Sequence, residues 1–144
     1  MTIKFYKTKD PYGFLNNFYV ARFFIYNRWW DTVEHAYQAQ KCSEPAEYDQ
    51  IHQAKGPRTA RDLGQKVKMR EHWDDIHKDR VMEECVRAKF LQHKELRKKL
   101  MATGDEEIIE DSPVDWYWGC GKDGTGKNTL GKILMKIRGE LKGE

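Results

Sequence analysis

Proline and glycine punctuate this chain at intervals that favour short helices, and this spacing constrains the fold more than any other feature. Pro45 and Pro57 each stand just inside a predicted helix, and the second helix ends at Gly64, as expected for residues that suit the first turn and the last. Trp73 introduces a longer helix, and a final one covers residues 128–141. Apolar residues at helical spacing form the predicted core, namely Met82, Cys85, Val86, Phe90, Leu96, Leu100, Leu130, Ile133, Leu134 and Ile137.

The N-terminal part of the chain has a different composition. Residues 3–6 and 18–26 are rich in β-branched and aromatic types, with the turn signal Pro11-Tyr12-Gly13 between them. Residues 27–28 then predict a tight hairpin turn. We therefore expect an α+β fold: a mostly helical single domain, residues 1–144, with a small N-terminal antiparallel sheet.

Composition excludes several classes of protein. The net charge of +3 and the mixed lysine, arginine, aspartate and glutamate content indicate an ordinary charged surface. Three cysteines without a C-x-x-C pair indicate neither a disulfide framework nor a zinc site, and no two histidines have metal-binding spacing. No segment has the apolar length of a signal sequence or a membrane span. These features predict a cytoplasmic protein with no metal, no cofactor and no membrane contact.

The stretch from Trp30 to Lys41 predicts a helix with one chemically concentrated face. At 100° per residue, Glu34, Gln38 and Lys41 fall within about 60° of one another. A carboxylate, an amide and an amine on one stripe suit a pocket that moves a proton and holds a polar substrate. A structural explanation stands beside this one: Asp31 and Glu34 have capping-box spacing, and Lys41 suits a helix C-terminus.

The long loop over residues 111–127 is dense in glycine, and its end nearly matches the phosphate-binding P-loop pattern. We do not assign it as one, because Asn128 stands where the magnesium-binding hydroxyl is required. Glycine backbone and a following helix N-terminus still favour an anion, so we expect a phosphate here. The residues expected to bind substrate in this segment are Gly119, Gly124, Gly126, Lys127 and Asn128.

Asp115 and Trp118 lie in the same loop, upstream of Gly121, and offer a carboxylate beside an indole, which suits a planar base attached to a sugar phosphate. The alternative makes Asp115 the residue that folds an Asx-turn and Trp118 a core anchor. Trp73 carries the same two interpretations. Cys120 between two glycines is a weaker candidate nucleophile, since no histidine is placed beside it.

Several separated motifs resemble those of one known family. They are Tyr12 to Phe18, Thr32-Val33-Glu34-His35, Tyr37 to Lys41, Ala60 to Gly64, Ala88-Lys89-Phe90, Asp115-x-x-Trp118-Gly119 and Asp123-Gly124-x-Gly126-x-Asn128. In this order, and over nearly the whole chain, they closely resemble the NADAR family, whose name refers to NAD and ADP-ribose metabolism.

The resemblance implies an N-glycosidase that cleaves the bond between a heterocyclic amine and C1′ of a ribose phosphate. The implied substrates are early riboflavin-pathway ribosylamino-pyrimidine 5′-phosphates or, alternatively, ADP-ribosylated guanine in nucleic acid. The implied site residues are Glu34, Trp73, Asp115 and Trp118, with Lys41 and Asn17 lining the same site. Gln65 stands where the family usually has arginine, and Asn16 where it usually has serine, so phosphate recognition differs from the family pattern.

Cleavage of this bond builds positive charge at C1′ and negative charge on the leaving nitrogen. Glu34 and Asp115 suit these two demands, with the acid and the base not yet distinguished. Lys41 permits a second route, in which it attacks C1′ of a ring-opened ribose and forms a Schiff base. The rival from another class is a non-catalytic reader of ADP-ribose or nucleotide, which would bind product tightly without turnover.

Overall fold

A computed structural model describes residues 1–143, so the predicted boundary at Glu144 lies outside the described residues. The elements are β1 (Ile3–Phe5), a 3₁₀ turn (Gly13–Leu15), β2 (Phe23–Ile25), β3 (Arg28–Trp30), α1 (Val33–Gln40), α2 (Pro45–His52), α3 (Pro57–Gly64), a π-helical turn (Trp73–His77), α4 (Lys78–Gln92), α5 (Lys94–Ala102), β4 (Ile108–Glu110) and α6 (Thr129–Lys142). The short strands among these helices confirm the predicted α+β class.

The chain divides into two compact units. One is Val20–Gln92, and the other joins Met1–Tyr19 to the chain from His93 onward. The assignment of one domain to residues 1–144 stays a prediction.

In the unit Val20–Gln92, α1 packs against α2, α3 and α4. Pro45 and Pro57 occupy the first turns of α2 and α3, as predicted, because proline lacks only an N–H that a first turn leaves unpaired. The predicted apolar stripe of α4 is buried in this unit. Small residues Ala36, Ala39 and Ala60 are also buried and allow the helices to approach closely.

Strands β2 and β3 form an antiparallel hairpin in which Ile25 pairs with Arg28. The two turn residues, Tyr26 and Asn27, have φ angles of 53° and 64°. Positive φ at both positions is the requirement of a type I′ turn, whose twist matches that of the strands. The hairpin was predicted, although its turn lies one residue earlier than expected.

In the other unit, β1 pairs in parallel with β4, and Ile3 lies opposite Ile108. The antiparallel pairing predicted for the N-terminal part is thus found in the β2–β3 hairpin, whereas β1 pairs in parallel with a strand from much later in the chain. Helix α6 packs against β4 and α5, and its apolar residues are buried as predicted. Because the carboxyl end of β4 leads into the glycine-rich loop, this small sheet fixes where that loop begins.

Within residues 1–143, no helix combines the length and the apolar character needed to cross a bilayer.

Candidate active site

Helix α1 begins after Thr32, whose hydroxyl oxygen accepts the backbone N–H of His35 at 3.2 Å. The same hydroxyl lies 2.8 Å from Nδ1 of His35, and Nε2 of His35 lies 3.0 Å from the carbonyl of Ala54. Since a carbonyl can only accept, Nε2 carries a ring proton, and in the neutral ring Nδ1 then accepts from the Thr32 hydroxyl. The cap is therefore Thr32. The expectation that Asp31 caps this helix in a capping box with Glu34 is wrong.

Glu34 lies in the first turn of α1 and is buried, with 7% of its surface exposed. Its Oε2 accepts a hydrogen bond from Nε2 of Gln38 at 2.7 Å, one helical turn later. The charge of Lys41, at the end of the helix, also interacts with Glu34. The structure thus brings the carboxylate, the amide and the amine together as the helical spacing predicts.

Lys41 occupies the C-cap position of α1 and is half-buried. Its Nζ lies 3.5 Å from the carbonyl oxygen of Gly64, to which it donates. Burial lowers the pKa of Lys41, while the negative charges of Glu34 and Asp74 act in the opposite direction. A lowered pKa increases the fraction of neutral amine, which is the form that attacks a carbonyl carbon.

Gly64 ends α3 directly against this polar face. A Cβ atom at this position would collide with Oε1 and Cδ of Gln38. The contact with Gly64 therefore sets where the Gln38 amide lies, and Gly64 also provides the carbonyl for Lys41. The next residue, Gln65, is exposed at the C-cap of α3.

Trp73 opens the π-helical turn, after His72 in the left-handed region at φ 61°. Only 2% of Trp73 is exposed, and its ring centre lies 5.4 Å from that of Tyr37 on α1. This burial favours the core-anchor interpretation of Trp73. Its contact with substrate stays a prediction.

Asp115 organises the loop that follows β4. Its Oδ1 accepts the backbone N–H groups of Tyr117 at 3.0 Å and Trp118 at 2.8 Å. The Asx-turn interpretation of Asp115 is thus correct at Oδ1. Ser112 Oγ in turn accepts the N–H of Asp115 at 3.1 Å, so the carboxyl group stands on a locally rigid turn. A catalytic role for Asp115 stays a prediction, and it would use the other carboxyl oxygen, Oδ2.

Trp118 is half-buried and stacks edge-on against Tyr117, with ring centres 4.9 Å apart. It is therefore more accessible than Trp73. Gly119 follows in a crowded position, where a Cβ would lie 2.8 Å from Oε2 of Glu110. Glycine at 119 lets the loop pass close to β4, and the contact of Gly119 with substrate stays a prediction.

The N-terminus of α6 does not form the phosphate cradle that the sequence predicts. The N–H groups of residues 127–130 donate to the carbonyls of residues 116–119, at distances of 2.8 to 3.1 Å. The N–H of Gly126 donates to Cys120, and that of Gly124 donates to Gly121. These amides are bonded within the loop itself, which leaves them unavailable to an anion.

The side chain of Asn128 is also engaged. Its Oδ1 accepts the N–H of Glu110 and its Nδ2 donates to the carbonyl of Ile108, both at 2.9 Å. Asn128 therefore fastens the loop to β4, and its contact with substrate stays a prediction. The Nζ of Lys127 lies 5.7 Å and 5.3 Å from the ring centres of Trp116 and Tyr117. A contact of its ammonium group with phosphate stays a prediction.

Asn17 is buried just after the 3₁₀ turn. Its neighbour Asn16 fixes the backbone there, since Asn16 Nδ2 donates to the carbonyl of Tyr6 and Oδ1 accepts the N–H of Phe18. Asparagine at position 16 thus supplies a turn-forming acceptor, as serine can. The contact of Asn17 with substrate stays a prediction.

Sequence reasoning did not single out Lys89 of α4, which has 1% of its surface exposed. Burial lowers the pKa of Lys89 to about 7. Its Nζ lies 5.3 Å from the ring centre of Phe90. One feature of the sequence could have indicated its burial: Lys89 precedes Phe90 on the apolar stripe of α4, where a charged residue is rare.

Cys120 donates to Oδ1 of Asp111 at 3.5 Å, and burial together with this contact raises the pKa of its thiol. A raised pKa disfavours the thiolate, so Cys120 is not a candidate nucleophile. Within residues 1–143, no three His, Cys, Asp or Glu side chains gather closely enough to hold a metal ion.

Comparison with known proteins places this chain in a family. The model of the NADAR domain matches residues 4–142, and the chain belongs to the NADAR family. Its relatives include an N-glycosidase of Nostoc punctiforme that is 44% identical over 147 residues, covering 99% of this chain and 94% of that protein.

The N-glycosidase YbiA of Escherichia coli is 38% identical, and the match covers 96% of this chain and 88% of YbiA. The NMR structure of YbiA superposes with a TM-score of 0.91 over 99% of this chain and 85% of that chain. A riboflavin biosynthesis protein of Vibrio vulnificus is 40% identical, and this chain spans 38% of its length.

Proposed function

We propose that this chain is an N-glycosidase that hydrolyses the C1′–N bond of a ribosylated heterocycle phosphate, such as an early riboflavin-pathway ribosylamino-pyrimidine 5′-phosphate. The observation that carries the proposal is the buried Glu34 carboxylate, held by Gln38 beside the half-buried Lys41. The names of the relatives from Nostoc punctiforme, Escherichia coli and Vibrio vulnificus support the reaction and the substrate class.

In this proposal the two carboxylates meet two separate charge demands. As the C1′–N bond breaks, the sugar gains oxocarbenium character, and the leaving nitrogen needs a proton. Glu34 and Asp115 are the groups that we propose for these roles. A water molecule supplies the hydroxyl that ends on C1′, so the products are the free heterocyclic amine and ribose 5-phosphate.

Lys41 supports a second mechanism for the same reaction. Its neutral amine would attack C1′ of a ring-opened ribose, release the heterocyclic amine and form a Schiff base, which water then hydrolyses. Sodium borohydride added during turnover distinguishes the routes, because it reduces the Schiff base to a stable adduct on Lys41. Adduct formation in the native protein and its loss in Lys41→Arg would establish the covalent route; absence of adduct in both would establish direct hydrolysis.

For the phosphate group we propose Lys127 in place of the loop amides. Lys127→Ala is then expected to raise KM more than it lowers kcat, since this charge holds ground and transition states alike. Affinity should also fall as salt rises. Equal turnover of the dephosphorylated nucleoside would refute a phosphate site.

The decisive test of the proposed function is a substrate panel. We would incubate the protein with ribosylamino-pyrimidine 5′-phosphates and with ADP-ribosylated guanosine, and follow base release by mass spectrometry. Release from the first group only is the expected result. Release from ADP-ribosylated guanosine only would reassign the substrate, and tight product binding without any release would make the chain a non-catalytic reader.

A further inference from the structure

Only one end of the Gln38 side-chain amide is hydrogen-bonded. Nε2 donates to Oε2 of Glu34 at 2.7 Å, whereas Oε1 receives no hydrogen bond from the described residues. The side chain is 5% exposed, and Oε1 faces the backbone of Gly64. A buried acceptor without a donor is costly, so such a group in a native fold calls for an explanation.

The direction of this hydrogen bond carries information about Glu34. An ionised carboxylate only accepts, so it requires the N–H end of the amide to face it. A protonated carboxyl group has an O–H donor, so it would favour the reverse orientation, in which Oε1 of Gln38 faces Glu34 and accepts that hydrogen. The arrangement in which Oε1 lies against Gly64 is therefore the one that matches an ionised Glu34.

The positive charge of Lys41 acts in the same sense. Lys41 at the end of α1 interacts with Glu34, and Lys41 in turn faces Asp74 of the π-helical turn and Lys78 of α4. From α4 the Cys85 thiol also faces Glu34, and burial raises the pKa of this thiol so that it stays neutral. On the α3 side, Gln38 contacts the uncharged backbone of Gly64.

We propose that Gln38 is a positioning residue that holds Glu34 as an ionised carboxylate before the bond breaks. This inference rests on the proposed N-glycosidase function and deepens it, because it states which of the two proposed carboxylate roles belongs to Glu34. An ionised Glu34 stabilises the cation at C1′ or takes a proton from the attacking water. The proton for the leaving nitrogen then comes from another group.

The first test measures ionisation without any substrate. The protein is labelled with ¹³C at the glutamate carboxyl carbons, and the Glu34 signal is assigned from its absence in Glu34→Gln. In the native protein the titration midpoint should lie below the pH at which the enzyme turns over. Gln38→Met removes the donor and should raise the midpoint by about one pH unit. Gln38→Glu places a second carboxylate there and should raise it further.

Gln40→Met is the matched control, because Gln40 lies on the same helix and donates to Tyr48 at 3.0 Å instead of to Glu34. It should leave the Glu34 midpoint where it is. A native midpoint above the working pH, or the same midpoint in the native protein and Gln38→Met, would overturn the inference. If Gln38→Met does not fold, the native midpoint and that of Gln38→Glu still decide the question.

The second test separates this inference from the proposed function. With a ribosylamino-pyrimidine 5′-phosphate as substrate, Gln38→Met should lower kcat about 10-fold through misplacement of Glu34 and shift the acid limb of the pH profile upward. A purely structural role would lower the thermal stability only. If Glu34→Gln is inactive while Gln38→Met keeps the native profile, Gln38 is misassigned; if Glu34→Gln stays active, the catalytic assignment of Glu34 itself fails.

Discussion

Gly64 lies where any side chain would collide with the amide of Gln38. This contact joins the end of α3 to the polar face of α1 and holds the Gln38 amide at Glu34. The glycine is required by the space around it, since its backbone does not adopt the left-handed conformation that favours glycine.

Gly64→Ala should therefore displace Gln38 and lower turnover per folded molecule. Alanine in a helix would otherwise stabilise the protein by about 1 kcal/mol relative to glycine. The matched control is Gly139→Ala in α6, where nothing lies within 4 Å of an added Cβ. The control should gain stability and keep its rate. Equal rates for both variants, measured with thermal unfolding on the same samples, would contradict the role of Gly64.

Glu34→Gln should abolish turnover with little change in folding, because the amide keeps the shape of the carboxyl group and loses its charge. Thr32→Ala should have the opposite effects on stability and rate. It removes the cap of α1 and a partner of His35, so it should cost about 1 kcal/mol or more while the rate per folded molecule is kept. Rates and unfolding curves for the two variants decide between them; full activity of Glu34→Gln would remove Glu34 from the mechanism.

The two tryptophans should respond differently to truncation. Trp73 is buried against Tyr37, so Trp73→Ala should lower the free energy of unfolding by about 3–5 kcal/mol. Trp118 is half-buried, so Trp118→Ala should weaken binding of the intact substrate more than binding of ribose 5-phosphate, which offers no base to stack.

Trp29→Ala is the control for these changes, because Trp29 is 50% exposed in the β2–β3 hairpin. Calorimetric titration with both ligands makes the comparison. Equal losses of affinity for the two ligands in Trp118→Ala would indicate that Trp118 is a core anchor after all.

Lys89 should make stability depend on pH above neutrality. Its pKa is about 7 in the folded protein, against about 10.4 for a lysine in an unfolded chain. Between these two values the unfolded chain binds more protons at this residue, so the free energy of unfolding should rise with pH. The native protein should gain stability relative to Lys89→Met from pH 7 to 9.5.

Lys132→Met, at an exposed position of α6, controls for the loss of one positive charge. Denaturant unfolding at several pH values gives the required curves. A constant difference between the native protein and Lys89→Met over this range would show that Lys89 stays charged when the protein is folded.

Sequence alone determined the features that depend on neighbouring residues. The helices α2 and α3 begin at Pro45 and Pro57 because proline restricts its own φ angle and lacks an N–H. The common face of Glu34, Gln38 and Lys41 follows from helical periodicity, which is a local property. The NADAR motifs are likewise visible in the printed chain.

Only the tertiary structure decided which groups bond to one another. Three findings concern donors and acceptors that had several possible partners. Ile3 pairs in parallel with Ile108, Thr32 instead of Asp31 caps α1, and the amides of α6 bond to the loop that precedes them. The hydrogen bond from Gln38 to Glu34 also depends on Gly64, which lies 26 positions after Gln38 in the chain. A sequence shows which polar groups are present, but burial forces each of them to find a particular partner, and that choice is made only when distant segments pack together.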